Sequence, residues 1–138
     1  MGHRRKAREY ALQMLYQLEL AREEPKIVYE HFWRSQKAPE EVVAFATQIV
    51  DGTFRNLKEI DDLIEKHSTH WKISRMNAVD RNILRLSVYE ILFCHDIPVS
   101  VAINEGIEIA KKFGTDESSS FVNGVLDHIA KEQPLKMI

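Results

Sequence analysis

The stretch VDRNILRLSVYEILFC, residues 79–94, decides the fold. At about 100° per residue, Val79, Ile83, Leu86 and Phe93 share one face, Leu84, Val88 and Ile91 lie on a second, and Tyr89 and Leu92 close much of the rest. A helix that is apolar on nearly every side has to be wrapped by other helices. Arg81 and Arg85 leave a wet strip. Asp80 and Asn82 stand in the first turn, where the positive helix end favours an acid, and Ser74 or Asn77 serves as cap. Glu90 breaks the pattern. It projects among Val79, Ile83 and Leu86, so its carboxylate needs hydrogen bonds or a cation to offset desolvation.

A chain of 138 residues suits one domain, or two small lobes sharing a core, and is long enough to fold unaided. Hydrophobic content of 44% beside 29% charged residues is that of an ordinary globular protein, and the fold class expected is all-α. The single cysteine, Cys94, excludes an internal disulfide framework and a cysteine zinc cluster, and suits a reducing compartment. No apolar run approaches the roughly 20 residues that span a bilayer, and no secretory signal is visible, so a cytoplasmic protein without membrane contact is expected. A net charge of −2 does not point to nucleic acid as a whole-chain average. The distribution of charge is more telling.

The start, MGHRRKAR, carries Arg4, Arg5, Lys6 and Arg8 with no acid before Glu9. In the run that follows, Ala7, Ala11, Met14, Leu15 and Leu18 share one helical face, while Arg5, Arg8, Leu12 and Tyr16 fall on an adjacent one. One amphipathic helix therefore carries a core stripe and a basic flank bearing an aromatic ring. A basic cluster can be no more than a solvated chain start, and Tyr16 can simply cap the core. The other reading is single-stranded nucleic acid, whose phosphates take cations and whose unstacked bases take a flat partner.

Pro25 ends that helix or starts the next. IVYEHFW supplies a second, with Ile27, Val28, Phe32 and Trp33 to bury, and SQKAPEE breaks the chain, with Pro39, Glu40 and Glu41 in first-turn positions. Val42, Ala46, Ile49, Thr53, Leu57, Ile60 and Ile64 then keep helical spacing as far as His67, which predicts one long helix kinked near Gly52. Residues 1–67 are expected to form an N-terminal three-helix subdomain and residues 74–138 a C-terminal helical one, within a single domain spanning 1–138. STHWKISRMN joins them as an irregular linker held down by Trp71 and Ile73. VSVAINEGIEIAKKFG makes another helix, with Ser100 as cap, Val101, Ile103, Ile107, Ala110 and Phe113 variously inward, and Gly114 as stop. TDESSSFVNGVLDHIAK is the last, capped by Thr115 or Asp116 and packing through Val122, Val125, Leu126 and Ile129, before the tail KEQPLKMI. No strand pattern, repeat or low-complexity tract is present.

Little chemistry is available. There is no glycine-rich phosphate loop, nucleophile elbow or cysteine pair, and Asp61-Asp62 and Glu40-Glu41 point different ways from adjacent helical positions, as solvated faces do. His67 and His70 share a helical face, yet no carboxylate or cysteine set completes a metal site, so no metal and no cofactor are expected. The residues describe a binding module rather than an enzyme.

VDRNILRLSVYEILF at 79–93 and IPVSVAINEGIEIAKKFGTDESSSFVNGVL at 97–126 resemble the bacterial NusB family of transcription antitermination factors, and RRKAREYALQMLYQLEL resembles that family's arginine-rich first helix. The likeness covers nearly the whole chain and is weakest between residues 21 and 76. It implies about seven helices in two small bundles packed around a buried central helix. It also implies binding to boxA-type segments of nascent ribosomal RNA together with NusE, a small-subunit ribosomal protein, in RNA polymerase antitermination complexes. Carried over by motif, Arg4, Arg5, Lys6, Arg8, Gln13 and Tyr16 match the RNA-contacting first helix, and Phe113, Ser118, Phe121 and Asn123 the region beside it. Asn77, Asp80 and Arg81 match the surface facing NusE. Three serines stand in the loop from Thr115 to Ser120, where some members carry charged or basic residues.

Two other readings stand beside this one. A similar domain occurs fused ahead of RNA cytosine methyltransferases, but no cofactor-binding domain is present here. The alternative is a protein-binding helical scaffold or homodimer, in which the basic arm serves solubility alone.

Overall fold

Seven α-helices and one 3-10 turn make up the described residues, 2–69 and 71–132, of the computed structural model. The helices are α1 (Gly2–Ala21), α2 (Pro25–Ser35), α3 (Glu40–Arg55), α4 (Leu57–His67), α5 (Ala78–Phe93), α6 (Val99–Phe113) and α7 (Ser118–Glu132), with the turn at Ile73–Arg75. No strand occurs among them. The all-α expectation holds, and α5 is the buried central helix, in contact with α1, α3, α4, α6 and α7. Ile83, Leu84, Leu86 and Val88 are fully enclosed.

Local chemistry explains most of the boundaries. Asn77 caps α5 by accepting the Asp80 amide at 2.8 Å, and Pro25 opens α2, where its missing N–H is not needed. Tyr10 of α1 meets Phe32 and Trp33 of α2 edge-on, with ring centroids 5.5 and 5.6 Å away. The Tyr29 hydroxyl donates to Asp51, tying α2 to α3.

Several boundaries and faces differ from expectation. The single helix expected to reach His67 is two, because the chain breaks at Asn56, whose side-chain amide and backbone N–H both donate to the Gly52 carbonyl. The break lets α4 turn so that Ile60 and Ile64, both fully buried, pack toward α5 and α7. Gly52 is not a kink. α3 runs on past it, and the Tyr89 ring occupies the space where a Cβ would stand. Gly106 plays a similar part, since a Cβ there would lie 2.7 Å from Ser87 Oγ and 3.2 Å from Leu126 Cδ1. Ser100 is no cap, because α6 begins at Val99. The last helix starts at Ser118, whose N–H donates to the Thr115 carbonyl while its Oγ accepts the Thr115 N–H. Ile27, Trp71, Val101 and Phe113, expected inward or holding the linker, are exposed. The tail beyond Glu132 and His70 of the metal reading lie outside the described residues.

The expected wet strip on α5 is covered. The side chains of Arg81 and Arg85 are only 13% and 12% exposed. Glu19 of α1 accepts from both arginines, Asp61 of α4 accepts from Arg85 at 2.8 and 2.9 Å, and Asn82 donates to Glu19 at 3.3 Å. Asp61 is thereby a partner in a seam that joins three helices rather than a solvated acid. Hydrogen bonding from Arg81, foremost, holds the Glu19 carboxyl below the usual carboxylate range.

Candidate nucleic-acid interface

The first two turns of α1 lay Arg4, Arg5 and Arg8 beside the α5–α6 connection and Lys6 over Tyr10, and each cation meets an acid. Arg4 Nη2 donates to Asp96 at 3.1 Å, its guanidinium 4.5 Å from the centre of the Phe45 ring. Arg5 forks onto Glu105, Nε at 3.0 Å and Nη2 at 2.7 Å. These hydrogen bonds, foremost, lower the Glu105 carboxyl and raise the Arg5 guanidinium relative to their ordinary values. Lys6 lies 5.1 Å from the centre of the Tyr10 ring and 3.8 Å from Glu9, whose carboxylate Lys112 of α6 reaches with contacts of 3.1 Å to both oxygens.

Arg8 is different. It is 3% exposed and donates three hydrogen bonds of 2.8–3.0 Å to Glu90, itself 1% exposed. Here is the cation that Glu90 demanded. Burial pushes the Glu90 carboxyl up, and the Arg8 hydrogen bonds oppose that push. Arg8 therefore stands apart from the other residues of the expected RNA-contacting set. Its guanidinium faces the core rather than solvent, and no phosphate reaches it without breaking a buried ion pair.

Further along α1, Gln13 and Tyr16 meet Phe113 from the end of α6 in a shallow groove of about 260 Å³, completed by Leu12, Gln17 and Val79. Tyr16 is 39% and Phe113 38% exposed, so two aromatic faces border one concavity. Lys112 Nζ stands 5.3 Å from the centre of the Phe113 ring, and Lys111 and Lys112 line a second groove with Arg5 and Glu9. Arg5, Lys112, Phe113, Gln13 and Tyr16 thus follow one another across two neighbouring grooves, the first of which Glu9 and Glu108 also line. The Lys111-Lys112 pair is not among the residues that the sequence singles out. Its signal is a doublet of cations in the last turn of a helix, and only the packing of α6 on α5, which α1 also contacts, brings Lys112 to Glu9 of the first helix.

The remaining assigned residues separate by burial. Asn123 is exposed and Phe121 packs partly against the core. Ser118 is buried, its Oγ committed to Thr115, so that hydroxyl is not a surface group. At the start of α5, Asn77 is exposed, while Asp80 is buried beside it with Oδ1 lacking a hydrogen-bond partner. Arg81 donates to Glu19 and to the carbonyls of Ile73 and Met76, bracing the 3-10 turn against α5.

Among the described residues no three histidine, cysteine or acidic side chains gather as a metal site, and no helix is long and apolar enough to cross a membrane. What fold and surface define is an all-helical protein whose first helix carries ion-paired cations and, farther along, borders an aromatic-lined groove. The chain belongs to the NusB family, whose profile matches residues 5–131. It is 50% identical to the transcription antitermination protein NusB of Bdellovibrio bacteriovorus, over 93% of this chain and 95% of that one. It superposes on T. maritima NusB with a TM-score of 0.86 at 42% identity, covering 94% and 91% of the two chains. It also matches, with a TM-score of 0.88 at 31% identity over 96% and 99%, a chain from a crystal structure of antitermination factors NusB and NusE in complex with double-stranded RNA.

Proposed function

We propose that this chain is a transcription antitermination factor that binds boxA-type RNA together with NusE in RNA polymerase complexes of the cytoplasm. Membership of the NusB family supports the role, and the NusB–NusE–RNA assembly of a structural relative supports both partners. The observation that carries the RNA surface is the pair of neighbouring grooves, one lined by Arg5 and Lys112 and the other by Tyr16 and Phe113, cations for phosphate beside flat faces for bases. Arg4, Arg5, Lys6, Gln13, Tyr16, Phe113, Phe121 and Asn123 carry direct contacts in this reading, with Lys111 and Lys112 added. Arg8 and Ser118 act from beneath by holding the surface in place. NusE binds at the start of α5, where Asn77 is exposed and Asp80 and Arg81 set the backbone. We also propose two subdomains meeting on α5.

The test is a titration of boxA-type RNA, with and without NusE, at several salt concentrations. Each phosphate contact to a single strand should add about −0.7 to the slope of log affinity against log salt. Lys112→Ala should weaken binding and flatten that slope, whereas Tyr16→Ala should weaken it by roughly 1–3 kcal/mol with the slope kept. No RNA affinity with or without NusE would leave the scaffold or homodimer reading in its place.

A further inference from the structure

The arginines that RNA would use are already occupied in the free protein. Arg5 presents its Nε–Nη2 edge to both oxygens of Glu105, the same planar fork that grips a phosphate. Arg4 meets Asp96 through a single hydrogen bond. Taken as formal charges, Arg4, Arg5, Lys6 and Arg8 face Asp96, Glu105, Glu9 and Glu90, so an arm that reads as strongly basic in sequence is close to neutral once folded. Glu105 is the best placed of these acids. It comes from α6, lies within 3.5 Å of Arg8 as well, and is largely covered, whereas Arg5 is half exposed. A phosphate approaching from solvent therefore finds the arginine accessible but its binding edge taken.

We propose that Glu105 is an affinity-setting residue of the RNA interface. Its carboxylate holds the Arg5 edge in the free protein, and an RNA phosphate engages Arg5 only by displacing it. This inference rests on the RNA-binding reading above. Because the exchange concerns phosphate and not bases, it lowers affinity for every RNA alike and leaves discrimination to the aromatic groove. An RNA that does not fill the groove gains too little to drive the exchange.

The experiment compares the parent, Glu105→Gln, Arg5→Ala and the double variant, each titrated at low salt with a boxA-type single-stranded RNA and a scrambled RNA of equal length. Circular dichroism and thermal melts confirm folding. Glutamine retains the shape and an acceptor but removes the charge, so Glu105→Gln should bind both RNAs about three- to fivefold tighter, the scale of a partly exposed ion pair. In the Arg5→Ala background that gain should largely vanish. Unchanged or weaker binding by folded Glu105→Gln overturns the proposal, since the acid would then only position Arg5 or take no part. An undiminished gain without Arg5 also overturns it, in favour of general repulsion between acid and RNA. If Arg5→Ala binds as the parent does, the RNA reading of this surface fails instead. Should Glu105→Gln not fold, Glu105→Asp, which draws the carboxylate back from the fork, should give a smaller gain of the same sign, and no gain there overturns the proposal.

Discussion

Arg8 and Glu90 share a buried ion pair whose two halves the sequence declares unequally. Glu90 on an apolar face announces a need for a cation, because a carboxylate inside a helix bundle has no water to solvate it. Which cation answers is not legible. The helical wheel puts Arg8 beside Arg5 and Tyr16, and only the approach of α1 to α5 turns one of these arginines inward. Removing one partner strands the other, so Arg8→Ala and Glu90→Ala should each lower unfolding free energy by about 3–5 kcal/mol in urea titrations. An Arg8→Met, Glu90→Leu double variant should recover much of that loss. For whatever folded Arg8→Ala remains, the salt slope of RNA binding should run parallel to the parent's. A flattened slope would return Arg8 to the phosphate-contacting set.

Among the elements, α5 was the most legible and the α3–α4 junction the least. An all-round apolar helix admits one placement, whereas the break at Asn56 carries neither proline nor a glycine at the turn, and apolar spacing runs unbroken across it. The turn is set by what α4 packs against. A glycine within helical spacing marks either a bend or a close neighbour, and at Gly52 it is the neighbour, the Tyr89 ring. Gly52→Ala should therefore destabilise by about 1–3 kcal/mol through overpacking, although alanine is the better helix former. A variant as stable as the parent in thermal melts would show that the ring moves aside freely. Arg81 and Arg85 looked wet because their partners lie 62 and 24 positions away on other helices. Arg85→Ala leaves Glu19 and Asp61 largely covered with fewer donors, and should cost about 1–3 kcal/mol by chemical denaturation.

For the whole molecule, acid should loosen the fold through the carboxylates that join helices. Glu19 links α1 to α5 and Glu105 links α6 to α1, and both have their carboxyls lowered in the folded state by arginine hydrogen bonds. A lowered carboxyl binds its proton less readily folded than unfolded. Its contribution is therefore present above the unfolded value of about 4.5 and is lost as pH falls through the lowered folded value. Glu90 works in the opposite sense. Burial raises its carboxyl, so its contribution is complete below the unfolded value and is lost as pH rises through the folded one. Two linking acids against one buried acid should make the melting temperature fall as the pH is taken from neutral through about 4.5 and on toward the lowered folded values. The Glu19→Gln, Glu105→Gln double variant should start lower and show a flatter acid limb, while Glu90→Gln should leave that limb at least as steep as the parent's. Melting curves across this range on the three proteins check the assignment. An acid limb in the double variant as steep as the parent's would mean that other carboxylates set acid stability, and that the arginine seams hold geometry without contributing to the pH dependence.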